Sequence, residues 1–88
     1  MERQVTIVNR LGLHARAAAK LVTLASRYHS EIQLRTEHRT VSGKSIMGVL
    51  MLAAAQGTEL TIGAEGDDAP EALDAIAALV ADRFGEGA

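Results

Sequence analysis

Cysteine is absent from this chain, which excludes disulfide staples and thiolate metal sites. Aromatic residues are almost absent too: only Tyr28 and Phe84 are present. A surface with so few rings offers little for nucleobases to stack on, which weakens any nucleic-acid reading. There is a single proline, Pro70. No apolar run approaches the length needed to span a bilayer, and the opening "MERQVTIV" carries charges where a signal peptide would be apolar. A soluble, cytoplasmic protein without crosslinks is expected.

The 88 residues allow one modest core and are read as one domain, 1–88. Much of the apolar content is alanine, which implies helices and sheet in close approach. The formal net charge of −2 hides an asymmetry. Residues 1–44 carry Arg3, Arg10, Arg16, Lys20, Arg27, Arg35, Arg39 and Lys44 against Glu2, Glu31 and Glu37, a net +5, leaving −7 for the remainder. A basic half suits an acidic protein surface or a phosphoryl group.

"QVTIV" (4–8) alternates like a half-buried strand. After Gly12 the period changes. Ala18, Leu21, Val22 and Ala25 fall at i, i+3, i+4 and i+7, which predicts a helix from Ala15 to about Tyr28. "EIQLRT" (31–36) and "RTVSG" (39–43) read as a hairpin. Ser45 is a preferred N-cap for a short helix over about 46–53. "TELTIGAEG" (58–66) is another alternating strand. Asp68, Pro70 and Glu71 form a capping-box pattern that opens a last helix. Its buried stripe is Leu73, Ile76, Ala77, Val80 and Phe84, and "GEGA" is expected to fray. The order β-α-β-β-α-β-α predicts an α+β fold, a four-stranded antiparallel sheet with three helices on one face.

Two apparent motifs fail on spacing. "SGKS" (42–45) matches the end of a phosphate-binding loop, but His38 stands where that motif needs glycine. His14, His29 and His38 fit no zinc-ligand spacing.

His14 lies where the first helix begins, near backbone N–H groups that favour an anion and disfavour a cation. The ring is thereby pushed toward the neutral form, whose nitrogen lone pair is nucleophilic. A phosphoryl group taken up there would meet the same N–H groups, and Arg16 offers it a bidentate contact. The plain alternative is a surface histidine that merely caps a helix.

"GLHARAAAKLV" resembles the active-site segment of the HPr family, the phosphocarriers of the bacterial phosphoenolpyruvate-dependent phosphotransferase system. "KSIMGVLMLAAAQGTELTI" resembles that family's second signature, around its regulatory serine. Both occur in the right order and separation along essentially the whole chain. The resemblance implies an open-faced sandwich with His14 phosphorylated on Nδ1, Arg16 as phosphate partner and Ser45 as a possible second phosphorylation site. It implies enzyme I and enzyme IIA as partners, HPr kinase/phosphorylase as a further one, and no cofactor, nucleic acid or membrane. Such a protein is a relay in a transferase chain more than a stand-alone enzyme. One residue departs from the pattern: Ala17 stands where the family usually has proline, which leaves the helix intact and alters the preset geometry of the turn.

The second helix is apolar nearly all round. Ile46, Met47 and Leu50, with Arg16, Lys20 and Arg27 as a basic rim, are the expected docking surface. Two alternatives accompany this reading. One is the nitrogen-related regulatory branch of the same system. The other is a regulatory binding module acting through phospho-Ser45.

Overall fold

The structure is a computed structural model describing residues 1–88. Strands β1 (Glu2–Thr6), β2 (Glu31–Arg35), β3 (Thr40–Ser42) and β4 (Glu59–Glu65) form one sheet in the order β1-β4-β2-β3, all antiparallel. Helices α1 (Ala15–Ala25), α2 (Ile46–Met51) and α3 (Ala69–Ala81) follow β1, β3 and β4. A single 3-10 turn, Arg83–Gly85, closes the chain's last folded stretch. The α+β sandwich expected from the alternation is the observed fold.

Strand alternation produces the two faces. Ile32, Leu34, Leu60, Ile62 and Ala64 are fully buried under the helices, while Glu31, Gln33, Arg35 and Glu59 stay exposed. The open face is tied by polar pairs. Arg35 donates to both Glu2 oxygens at 3.1 and 3.4 Å, and Gln4 to Glu59 at 3.1 Å. On the covered face α1 packs between α2 and α3, and α3 lies on β1 and β4. Buried Ala17, Ala18, Ala25, Ala69 and Ala72 let these layers approach closely.

The boundaries moved for identifiable reasons. The first strand lies at 2–6, not 4–8, because its register on β4 runs from Glu2 opposite Gly63 to Thr6 opposite Glu59. Ile7 remains tied to the neighbouring loop and fully buried, and Val8 turns outward. Helix α1 ends at Ala25 because the next turns tighten: Arg27 donates to the Leu24 carbonyl and Tyr28 to that of Ala25.

The predicted capping box on α3 does not form. Asp68 holds the N-cap position without a side-chain cap bond. Its carboxylate turns instead to the loop before β2, accepting from the backbone N–H groups of His29 at 2.8 Å and Ser30 at 2.9 Å and from the Ser30 hydroxyl. Those bonds, the Ser30 hydroxyl first, hold its pKa down at about 2.

The segment expected to fray is held. Arg83 and Phe84 adopt left-handed backbone, with φ of 57° and 54°. That bend breaks the helical line and drops the Phe84 ring into the core, fully buried. Beyond it, Arg10 donates its backbone N–H to the Ala88 carbonyl at 3.0 Å.

Candidate functional site

The site begins with a tight turn between β1 and α1. Asn9 is fully buried and donates its amide to the Gly12 carbonyl at 2.8 Å. Gly12 has φ of +67°, a conformation that favours glycine. His14 then takes the N-cap of α1 in extended conformation, φ −74° and ψ 178°. Its Nδ1 accepts the backbone N–H of Arg16 at 3.3 Å, as a cap side chain does. The N–H of Ala15 makes no hydrogen bond and lies at the opening, whereas Ala17 is fully buried. The ring therefore sits at the positive end of the helix, beside donors suited to an anion.

The second ring nitrogen, Nε2, contacts the carboxylate of Glu86. Glu86 also accepts from Asn9 at 3.0 Å. Its carboxyl is held below its ordinary value of 4.5, first by the hydrogen bond from His14 and then by that from Asn9. The charges of His14 and Lys20 add to the shift, and desolvation opposes it. The His14 side chain is 27% exposed and that of Glu86 14%, so the pair is sheltered yet reachable.

Around the pair lies a concavity of about 620 Å³ lined by Arg10, Leu11, His14, Ala15, Arg16, Glu86, Gly87 and Ala88. The Arg16 side chain forms no ion pair and no hydrogen bond. With Arg10 it brings two cations to the same opening as the imidazole. Two guanidinium groups and the Glu86 carboxylate thus share the opening with the imidazole, which leaves it with an excess of positive side-chain charge. No cluster of three or more His, Cys, Asp or Glu side chains is arranged to hold a metal.

Ser45 lies at the N-cap of α2, with its Oγ accepting from Gly48 N–H at 3.1 Å. Lys44 beside it donates to the Tyr28 carbonyl, in the turn that follows α1, at 2.7 Å. Ile46, Met47 and Met51 are 46%, 68% and 55% exposed, three apolar side chains turned to solvent on one short helix. Leu50 is half-buried against the core, so Met51 holds more of the outer face than it does. Of the basic rim, Arg16 and Arg27 border a groove along α1 that Leu79 of α3 also lines. Lys20 borders it too, but its ammonium is committed to the Phe84 carbonyl at 2.6 Å.

The sequence reading missed Glu86 and Asn9. Glu86 carries no local signal, because it acts through partners more than seventy residues away; Asn9 has a local turn role through Gly12, but its bond to Glu86 is equally remote. Only the left-handed bend at Arg83 and Phe84 brings Glu86 back to the helix start.

A family model described as the PTS HPr component phosphorylation site matches residues 1–82. The chain is 52% identical to the phosphocarrier protein HPr of Cupriavidus necator, covering 99% of this chain and 98% of that one. It is 50% identical to the phosphocarrier protein NPr of Shewanella violacea over 98% and 94%. An HPr structure from Thermoanaerobacter tengcongensis superposes with a TM-score of 0.96 at 41% identity, covering 100% of this chain and 99% of that one. The chain belongs to the HPr family, the phosphocarriers of the phosphotransferase system.

Proposed function

We propose that His14 accepts a phosphoryl group on Nδ1 from phospho-enzyme I and passes it to the histidine of an enzyme IIA serving sugar uptake, in the cytoplasm. The observation that carries this is the Arg16 N–H on His14 Nδ1 at a helix start, under the cations of Arg10 and Arg16. The ring nitrogen at that position is an acceptor with its lone pair directed at anion-binding groups. After transfer, the phosphoryl oxygens meet the first-turn N–H groups and the Arg16 guanidinium. Each helix-end interaction contributes about 0.3–1 kcal/mol, rising to ~2 when partly buried. Terms of that size stabilise a phosphohistidine without trapping it, as a carrier requires.

Docking uses Ile46, Met47 and Leu50, with Arg16, Lys20 and Arg27 at the rim. An apolar patch beside a cationic mouth suits an acidic partner face with an apolar centre. Ser45 is the regulatory site, phosphorylated by the HPr kinase/phosphorylase. A phosphate at that N-cap leaves α2 intact and puts negative charge inside the docking surface. The reaction draws on no cofactor.

The 50% identity to an NPr supports a second reading, the nitrogen-related branch. The test phosphorylates the chain with enzyme I and phosphoenolpyruvate, then offers it to sugar-class and nitrogen-class IIA domains in parallel. Faster transfer to the sugar-class domain is expected. Preference for the nitrogen-class domain moves the chain to the regulatory branch, and transfer to neither removes the relay role.

A further inference from the structure

The segment after α3 does more than pack. Five contacts hold it across the helix start: the buried Phe84 ring, Lys20 on the Phe84 carbonyl, Arg10 N–H on the Ala88 carbonyl, and Asn9 and His14 on the Glu86 carboxylate. A solitary surface carboxylate would sample many rotamers, and its ion pair would be worth little. Glu86 differs, because fully buried Asn9 holds one carboxylate oxygen and thereby aims the other at the ring.

We propose that Glu86 is a positioning residue for the reaction at His14. It fixes the ring in the tautomer with the proton on Nε2, and it stabilises the positive charge that the ring acquires when Nδ1 takes the phosphoryl group. The inference rests on the reading of His14 as acceptor.

Two partners select the tautomer together. Nδ1 faces an N–H donor, the backbone of Arg16, so it must present a lone pair. Nε2 faces a carboxylate, which accepts only, so it must present a proton. The Glu86 carboxyl is held below its ordinary range and remains the acceptor at neutral pH. In the transfer step a bond forms between Nδ1 and phosphorus while the donor's nitrogen–phosphorus bond breaks, its electron pair returning to the donor nitrogen. No proton leaves His14. The product ring carries phosphorus on Nδ1 and hydrogen on Nε2 and has a formal positive charge. That charge appears along the Nε2–H bond already directed at Glu86, so the interaction strengthens on the way to the transition state. On donation the electron pair returns to Nδ1 and the charge disappears. Glu86 therefore speeds phosphoryl uptake and steadies the phosphorylated ring, and its hold on the ring weakens again as the charge is lost on donation.

The test uses the full chain and its Glu86→Gln and Glu86→Asp variants. Long-range ¹H–¹⁵N spectra of the unphosphorylated protein report which ring nitrogen of His14 carries the proton. Single-turnover transfer from phosphorylated enzyme I reports the saturating rate and the half-saturating concentration separately. The wild-type ring should be in the Nε2–H form, and Glu86→Gln should show a mixture of tautomers. Its saturating rate should fall about tenfold or more, with half-saturation changed less than twofold and the melting temperature nearly unchanged. Glu86→Asp should recover part of the rate. An unchanged tautomer in Glu86→Gln, or a saturating rate within twofold of wild type, overturns the proposal. The acceptor reading fails separately, if phosphate is found on a residue other than His14, because the tautomer is read before any phosphate is added.

Discussion

Leu13 donates its backbone N–H to the Ala54 carbonyl oxygen at 2.9 Å, so the turn that carries His14 is fastened to the loop that ends α2. Gly57 N–H on the Ile7 carbonyl at 2.7 Å and the Gln56 amide on the Val8 carbonyl at 3.1 Å extend the seam. Three hydrogen bonds thus join the start of α1 and the end of β1 to the loop that follows α2.

Gly12 sits on that seam. A Cβ there would lie 2.5 Å from the Ala54 carbonyl oxygen, on backbone with φ of +67°. Gly12→Ala should therefore destabilise the protein by about 1–3 kcal/mol, from strain and overpacking together. Denaturant unfolding measures the first effect and the transfer rate the second, since the Leu13–Ala54 bond must lengthen. A variant as stable as wild type would show the seam to be loose.

Asp68 sets an acid limit on the fold. Its pKa in the folded chain is about 2 against an ordinary 3.8. The stability it contributes is present above the unfolded value and is lost as pH falls from 3.8 through 2. Asp68→Asn should be less stable than wild type at pH 7, and the difference should shrink as pH falls through that window. Urea midpoints at pH 7, 4 and 2.5 test this, and a gap constant across them would contradict it.

The contrast between Asp68 and Ser45 shows what was legible in the sequence. Both stand at helix starts and both belong to residue types that cap helices. Ser45 caps α2 because its local neighbours leave it no better partner. Asp68 does not cap α3, because a loop nearly forty residues earlier presents three donors to it. Periodicity gives the strands, α1 and α3 their types, since alternation and the 3.6-residue stripe are local; α2 is read from its cap, and the 3-10 turn at Arg83–Gly85 is not read at all. Strand order is not local: β4, the longest strand, lies between β1 and β2 and pairs along both edges with segments far from it in sequence. His14 and Arg16 were readable from a twelve-residue stretch. Glu86 was not, because its role depends on the backbone reversal at Arg83 and Phe84.

Ser45 separates docking from stability. Phosphoserine adds about −1.5 to −2 charges at neutral pH, and Ser45→Asp adds one. Like charges brought together at an interface cost several kcal/mol, whereas the helix end returns no more than ~2. Ser45→Asp should slow transfer from enzyme I with little change in melting temperature, and added salt should restore part of the rate. Ser45→Ala should transfer normally and lose about 1 kcal/mol of stability with the cap bond to Gly48. Normal transfer by Ser45→Asp at low salt would leave Ser45 a cap and nothing more.

Arg16 contributes twice, through its backbone to Nδ1 and through its guanidinium to the concavity. Only the second contribution is removed by substitution. Arg16→Ala should slow transfer while His14 is still labelled, and Arg16→Lys should recover part of the rate, since an ammonium lacks the planar two-point contact. Equal rates in all three proteins would take the side chain out of the site.

The acceptor itself is tested by labelling with phosphoenolpyruvate and enzyme I, followed by mass analysis after acid and after alkali, on the wild type and on His14→Ala. The wild type should gain one phosphate that acid removes and alkali spares. His14→Ala should gain none and keep its fold, because the ring lies at the surface of the helix start. His29→Ala and His38→Ala should label as wild type does. Phosphate retained on His14→Ala, or a wild-type phosphate stable to acid and lost in alkali, would contradict the assignment of His14 as the phosphoryl acceptor.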